Sequence, residues 1–228
     1  MSRAFCIPGI FFIFAALVLN FLVSISLPYL TALDVARATV NTGISAGNVD
    51  SGVREVRFGV WSSCAYTDDG TKTCRDASEP AYSVGFSDPK EQDVSVTVGP
   101  SWTRGLVLHP IATGVTFIAL LFSFSTHIAV SLIASLLSFL SAVLTLIAFA
   151  IDIALFVYVK HQIKKLPNVE GTGKPGPGFW MTLVAFVILL LAGCTVCFGR
   201  RRQRMSSATA YPMTEARAPF WKRAFRRN

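Results

Sequence analysis

Asp152 is the residue of this chain whose type and position most strongly indicate chemistry. It is the only acidic residue in a predicted membrane span, and residues 105–151 before it contain no Asp, Glu, Lys or Arg. An ionisable group at such depth is costly and is a functional hypothesis by default. Two interpretations stay open. The first is a carboxylate that senses protons, and the second is a structural acid, hydrogen-bonded to a neighbouring helix or reaching Lys160 or Arg104.

Two histidines bracket the second predicted span and are the other candidates for proton chemistry. Histidine titrates at about pH 6.5, so its charge can follow ambient pH. His109 is predicted on the outer side and is the better pH-sensing candidate, whereas His127 is predicted in a cytoplasmic turn. A helix-capping or interfacial role is the alternative for both residues.

No other pattern in the sequence is typical of catalysis or cofactor binding. The three histidines lack the spacing of metal ligands, so no metal site, catalytic residue or cofactor is expected. Residues 171–174, Gly-Thr-Gly-Lys, superficially resemble a phosphate-binding loop. They lack its spacing and its strand–helix context, and we interpret them as a flexible connector.

Four apolar segments must position these residues, and each has at least the roughly 20 residues that a helix needs to cross a bilayer. The predicted spans are about residues 6–27, 106–125, 128–159 and 179–198, and the outer loop is residues 31–104. The predicted fold is mainly α: a four-helix transmembrane bundle over residues 1–199, followed by a basic cytoplasmic tail over residues 200–228. Ala134, Ser138 and Ala142 recur every four residues. That spacing allows close helix packing within the bundle or, alternatively, docking against a partner's span.

Composition agrees with a membrane protein and argues against most enzyme classes. Hydrophobic residues make up 52% of the chain, charged residues 15%, and the mean hydropathy is +0.52. An average soluble domain has about 25% charged residues. The net charge of +8 would suggest nucleic acid in a soluble protein. Much of it follows the last span, which favours an anionic membrane surface instead.

The distribution of Lys and Arg predicts that both termini are cytoplasmic. The N-terminal residues and the tail hold ten of these residues, and the loop after the third span holds four. The first outer loop is longer than about 60 residues and counts little in the positive-inside rule. The first span is predicted to be an uncleaved anchor. The alternative is a cleaved signal peptide, which would leave three spans.

Cys64 and Cys74 are the cysteines of the outer loop, and they are expected to form a disulfide if the loop faces the oxidising side. Residues 54–61 and 93–98 show the alternation of strands, and residues 67–70 carry turn chemistry. The loop is therefore predicted to fold as a small antiparallel sheet, stapled by one disulfide and lying on the membrane.

The inner end of the last span carries two further cysteines, Cys194 and Cys197, beside a run of arginines. Juxtamembrane cysteines next to basic residues are candidates for S-palmitoylation, and inert apolar cysteines are an equal alternative. The tail interleaves aromatic and basic residues and is predicted to lie on an anionic inner leaflet. The residues predicted to contact that surface are Arg200, Arg201, Arg202, Trp221, Lys222 and Arg223.

Two motifs resemble known families. Residues 58–61, Phe-Gly-Val-Trp, followed by Cys64 and Cys74, resemble the W–G-L-W–C–C signature of the claudin-like four-span superfamily, with Val60 in place of the usual Leu. This resemblance implies that Gly59 and Trp61 belong to a first extracellular loop that folds as a disulfide-linked β-sheet.

A more specific resemblance covers about residues 5–200. Residues 102–112 and 149–156, together with the two loop cysteines, resemble the PalI family of fungal ambient-pH response regulators, which is grouped with the Sur-type eisosome proteins. The tail after the last span is short, as in the short-tailed yeast-type members.

The PalI resemblance implies a non-enzymatic accessory protein of the plasma membrane that helps to place or stabilise a seven-span pH sensor of the PalH type. The alternative is a structural organiser of membrane microdomains or cell-wall contacts, as in the Sur-type relatives. A transporter or channel subunit is least favoured, because Asp152 is the only charge in a span and no continuous polar pathway is visible. The expected partners are membrane lipid and the seven-span sensor, with homo-oligomerisation left open and no nucleic acid.

Overall fold

The apolar segments fold as helices and the outer loop folds as a sheet. The computed structural model describes residues 6–47, 49–75, 81–87, 95–125, 128–166 and 169–209. In chain order the elements are α1 (Cys6–Ser24), β1 (Ala36–Ala46), β2 (Val49–Phe58), β3 (Ser63–Thr67), β4 (Lys72–Cys74), β5 (Val84–Ser87), β6 (Ser95–Val98), α2 (Pro100–Thr103), a 3₁₀ turn (Arg104–Val107), α3 (Leu108–Ser123), α4 (Ile128–Ile163), β7 (Gly171–Pro175) and α5 (Pro177–Thr209).

The helices form a bundle in which α1 packs against α3 and α5, and α4 packs against the same two helices. Three helical stretches, Pro100–Ser123, Ala129–Ile163 and Pro177–Cys194, are long and apolar enough to cross a membrane. Pro8–Ser24 of α1 is a shorter apolar helix. The prediction of a mainly helical membrane bundle is confirmed.

The outward faces of these helices carry large apolar side chains that no other part of the described protein covers. Phe14 of α1, Phe117 of α3 and Val184 of α5 are each about half exposed, and Leu136 of α4 is about two-thirds exposed. In water such a surface would be unfavourable, whereas hydrocarbon tails solvate it well. The apolar girdle is therefore the face that meets lipid or another span.

Within the described residues, seven antiparallel strands form one sheet, in the order β4-β3-β2-β1-β5-β6, with β7 paired to the first half of β1. The sheet is larger than the small sheet expected from the sequence. Its strand β2 ends at Phe58, so that Trp61 lies beyond it in the connection to β3. Of the predicted strand 93–98, residues 95–98 form β6, and residues 93 and 94 lie outside the described residues.

The segment predicted as a flexible connector, residues 171–174, is instead part of β7, and that prediction is wrong. Residues Gly171–Pro175 pair with Ala36–Val40 of β1. A Cβ atom at Gly171 would lie 2.1 Å from Ile163 Cγ2, so a glycine is needed where the strand lies directly on α4. Glycines usually weaken strands, which is why the pattern gave no strand signal.

The sheet is joined to the bundle through a continuous hydrophobic core. Phe58 and Phe86 of the sheet are buried with Leu155, Val159 and Ile163 of α4. At 36 residues and 1.5 Å per residue, α4 is about 54 Å long, and it continues past the bundle beneath the strands. We call the end of the bundle at Ser24, Leu108 and Pro177, where the sheet attaches, the sheet end.

The predicted disulfide between Cys64 and Cys74 is confirmed. The two residues are register partners on the adjacent strands β3 and β4, ten residues apart in sequence. The bridge staples β4, an outermost strand of the sheet, to the next strand.

Candidate functional site at the junction of sheet and bundle

The turn between β2 and β3, which carries the Phe-Gly-Val-Trp motif, docks on the end of α1. Trp61 Nε1 donates a hydrogen bond to Ser24 O at 2.7 Å, and the Val60 N–H donates to Ser26 Oγ at 2.9 Å. The last carbonyls of a helix have no partner within the helix, so the indole satisfies one of them. A Cβ atom at Gly59 would lie 2.5 Å from Leu27 Cβ and 2.8 Å from Leu27 N. The motif is therefore a clamp between the sheet and the first helix.

A buried tyrosine extends this clamp to the start of the second apolar helix. Tyr82 OH donates to Gly59 O at 2.7 Å, and Thr103 Oγ1 donates to Tyr82 O at 2.7 Å. Tyr82 is 4% exposed and Thr103 is fully buried. Burial raises the pKa of the Tyr82 phenol above its usual range, because removal from water disfavours the phenolate.

The start of β1 is attached to the start of α5 in a similar way. The N–H of Gly178 donates to Asp34 O, and the N–H of Gly176 donates to Val35 O, both at 2.9 Å. The Asp34 carboxylate is buried and accepts two hydrogen bonds from Arg37, at 2.6 and 2.7 Å. The hydrogen bond to Asp34 raises the pKa of the Arg37 guanidinium. This buried carboxylate is thus paired, as a charge away from water requires.

His109 and Asp152 meet at the sheet end. His109 is the second residue of α3, and Asp152 lies about 36 Å along α4 from Ile128 at 1.5 Å per residue. The His109 Nε2 and Asp152 Oδ1 atoms are 3.0 Å apart, with side chains 2% and 0% exposed. Asp152 Oδ2 is buried without a hydrogen-bond partner among the described residues.

The sequence named both residues but not their contact. The interpretation of Asp152 as an acid hydrogen-bonded to a neighbouring helix agrees with this geometry, and Lys160 and Arg104 are both exposed. Counting outward from the predicted turn at residues 126–127 would place His109 opposite Leu144, about two helical turns from Asp152. Spacing alone therefore does not find the pair, because His109 contacts a residue about two helical turns further along α4 than the count from the turn gives.

Below this pair, small hydroxyl side chains line the contacts between helices. Thr116 Oγ1 and Ser141 Oγ are 2.5 Å apart between α3 and α4, and Asn20 Nδ2 donates to Thr145 Oγ1 at 3.4 Å between α1 and α4. The small residues predicted to allow close approach are buried inside the bundle: Ala134, Ser138 and Ala142. Of the two interpretations, packing within the bundle agrees with this burial.

The remaining predicted site residues belong to the C-terminal part of α5 or lie outside the described residues. Cys194 is an exposed free cysteine on α5. The backbone of Cys197 and of Arg200, Arg201 and Arg202 continues α5, and their side chains are outside what the structure describes. His127, Trp221, Lys222 and Arg223 also lie outside the described residues. Within the described ranges, no group of three His, Cys, Asp or Glu side chains is placed to hold a metal ion.

The fold and the junction together define a claudin-like membrane protein: an apolar helix bundle that carries a disulfide-stapled sheet at one end. Residues 5–193 match the model of the SUR7/PalI family, and the chain belongs to that family. This is not known as an enzyme family. No curated protein matches the chain at a significant level.

Proposed function

We propose that this chain is a non-enzymatic accessory protein of the fungal ambient-pH response, located in the plasma membrane with both termini cytoplasmic. In this role it assists the localisation or stability of a seven-span pH sensor of the PalH type. Membership of the SUR7/PalI family, over residues 5–193, is the observation that carries the proposal.

Two features of the structure support this role. The apolar girdle, with exposed side chains such as Phe117 and Leu136, offers a lateral face that fits a partner's spans as well as lipid. The sheet is attached at Ser24, Thr103 and Asp34, so its position relative to the bundle is fixed. A rigid outer sheet on a lateral docking face suits a protein that holds a second membrane protein in place.

The test is a gene deletion followed by return of the wild-type chain or of a junction variant. We expect the deletion to lower the surface level of the sensor and the alkaline processing of the pathway's transcription factor. Wild-type protein restores both. Trp61→Phe, which lacks the indole donor to Ser24 O, restores them only in part if the position of the sheet matters. Unchanged sensor level and unchanged processing in the deletion strain would refute the role.

The second candidate is a structural organiser of membrane microdomains or cell-wall contacts. It is favoured by α5, whose helix continues to Thr209 through Arg200, Arg201 and Arg202 and so extends a basic segment past the apolar span. Such a segment suits an anionic inner leaflet, and palmitoylation at Cys194 or Cys197 would strengthen that attachment. Disrupted membrane patches with normal transcription-factor processing in the deletion strain would favour this function over the first.

A further inference from the structure

The His109–Asp152 pair lies where the core beneath the sheet ends and the bundle begins. Leu106 and Leu155, each three residues away along the chain, are fully buried in the core beneath the sheet. On the other side of His109, Ala112 and Thr116 are buried between helices. A change in the charge of this pair therefore acts at the boundary between the two parts of the molecule.

Among the described residues, His109 and Asp152 have no ion-pair partner besides each other, and the buried phenol of Tyr82 at this junction bonds to Gly59 O instead. The helix α1 has no ionisable side chain from Pro8 to Ser24, and α5 has none from Pro177 to Leu191, its Cys194 lying near the opposite end. The nearest charges along α3 and α4, Arg104 and Lys160, are exposed. Next to the sheet, the buried carboxylate of Asp34 forms an ion pair with Arg37. His109 and Asp152 thus depend on each other for charge balance.

The chain next to the His109–Asp152 pair consists of short helical segments. Between β6 and α3 it forms the four-residue helix α2, then the 3₁₀ turn Arg104–Val107, and then α3, in which His109 is the second residue. A 3₁₀ stretch inside a helical run often marks a hinge. The close contact of Gly105 with Ile151, where a Cβ atom would lie 2.8 Å from Ile151 Cγ2, keeps this turn seated on α4 when the pair is closed.

The pair is electrically neutral only when the imidazole and the carboxylate hold one proton between them. Removing that proton leaves a buried carboxylate, and adding another leaves a buried imidazolium. Either charge is strongly disfavoured away from water. The unpartnered Asp152 Oδ2 adds to this cost, because the closed structure provides no donor for it among the described residues.

We propose that His109 and Asp152 form a proton-controlled latch that holds the first turn of α3 on α4, beside the attachment of the sheet, with the 3₁₀ turn Arg104–Val107 as its hinge. Gain or loss of one proton opens the latch, the first turn of α3 separates from α4, and water reaches the charged group. The inference does not depend on the pH-signalling role, since it concerns the purified protein alone.

The test is hydrogen–deuterium exchange on the full chain in lipid nanodiscs at a series of pH values, corrected for the intrinsic exchange rate. We expect protection of residues 100–107 to be greatest at one pH and to fall on at least one side of it within about pH 5 to 8. The fall is about tenfold per pH unit while one proton is linked to opening. The double variant H109Q/D152N, which carries neutral side chains of similar shape, should show no such dependence.

The matched control is H161Q/D68N, which makes the same two changes at sites away from the latch, His161 on α4 and Asp68 beyond β3. It should keep the dependence of the wild type. Protection that is independent of pH in the wild type, or that varies equally in H109Q/D152N, would overturn the latch. Loss of sensor placement in cells with an intact latch in nanodiscs would contradict only the proposed function.

A second measurement does not need the latch variant to fold. In H127Q/H161Q, His109 is the only histidine left, so nitrogen-labelled imidazole signals in nuclear magnetic resonance report it alone. While the closed state dominates, we expect these signals to keep the frequencies of the closed pair, because the proton is exchanged only in the open state. Where the open state becomes dominant, the signals should change. Signals that change before the protection of residues 100–107 falls would show that the closed pair exchanges its proton without opening, and would contradict the latch.

Discussion

The sheet end and the middle of the bundle are held together by different kinds of contact. At the sheet end, groups such as Trp61 Nε1 and Tyr82 OH bond to backbone carbonyls of distant segments at 2.7 Å. In the middle, hydroxyls such as Thr116 Oγ1 and Thr145 Oγ1 bond mainly to carbonyls of their own helix, Ala112 O and Ser141 O. The comparison indicates that the sheet end fixes the arrangement of the helices, while the middle supplies close apolar packing.

The largest expected effect on stability follows from adding a side chain at Gly59, in the clamp between the sheet and α1. Gly59→Ala places a Cβ atom 2.5 Å from Leu27 Cβ and 2.8 Å from Leu27 N. The backbone must therefore move, and we expect a loss of about 3 kcal/mol, at the upper end of the usual range for overpacking. The measurement is thermal unfolding in detergent micelles. Gly99→Ala is the control, since no atom lies within 4 Å of its Cβ position, and an equal Tm for both variants would show that the clamp does not matter.

The second-largest effect is expected from removal of the disulfide, which destabilises the sheet and leaves the contacts at the junction in place. In Cys64→Ser with Cys74→Ser, the loss of a bridge that closes ten residues should cost about 2–3 kcal/mol. The measurement is hydrogen–deuterium exchange of the β3 and β4 amides, which reports unfolding of the sheet. Cys194→Ser, at the exposed free cysteine, should leave the exchange unchanged. A reducing agent should reproduce the double variant in the wild type and have no effect on the variant itself.

A smaller effect at the junction depends on pH. Tyr82→Phe removes the donor to Gly59 O, and we expect a loss of about 1–2 kcal/mol near neutral pH. Because burial raises the pKa of Tyr82 in the folded state, the unfolded chain loses the phenol proton first, at about pH 10. The free energy of unfolding of the wild type should therefore fall as pH rises through that value. The contribution of Tyr82 to this decrease should be absent in Tyr82→Phe.

The measurement for Tyr82 is a set of unfolding curves from neutral to alkaline pH for both proteins. The difference between them should narrow above about pH 10. A constant difference across the series would mean that the phenol is not shielded from water in the folded protein.

The smallest effect is expected in the middle of the bundle. Thr116→Val removes the contact between Thr116 Oγ1 and Ser141 Oγ, and hydrogen bonds between membrane helices average about 0.6 kcal/mol. Thr113→Val is the control, since Thr113 Oγ1 bonds to His109 O of its own helix. Unfolding in micelles should give a difference between these two variants well below that of Gly59→Ala. A larger loss for Thr116→Val than for Gly59→Ala would reverse the comparison.

The parts of the fold that depend on local pattern were predictable. Long apolar runs gave the helices, and the alternation of residues 54–58 gave the second half of β2. The position of Cys64 and Cys74 in the polar loop gave the disulfide. These features can be read from the sequence because each depends on neighbouring residues or, for the disulfide, on an oxidising compartment.

The parts that depend on contact between distant segments were not predictable. The pairing of β7 with Ala36–Val40 rests on glycines that fit against α4, and glycines in a strand give no strand pattern. The contact of His109 with Asp152 depends on how α3 and α4 are aligned along their lengths, which spacing does not reveal. The Trp61 bond to Ser24 O links residues 37 positions apart. The motif implied a role for that tryptophan but not the carbonyl that it binds.

The length of α4 has a mechanical consequence. One unbroken helix of 36 residues runs from the lipid-facing girdle into the core beneath the strands, whereas the hydrocarbon layer is only about 30 Å thick. Helices adapt to a thicker or thinner bilayer by changing their tilt. Leu155, Val159 and Ile163 of α4 are buried against the strands, so a change in the tilt of α4 rotates the sheet by the same angle. The thickness of the local membrane therefore influences the orientation of the sheet.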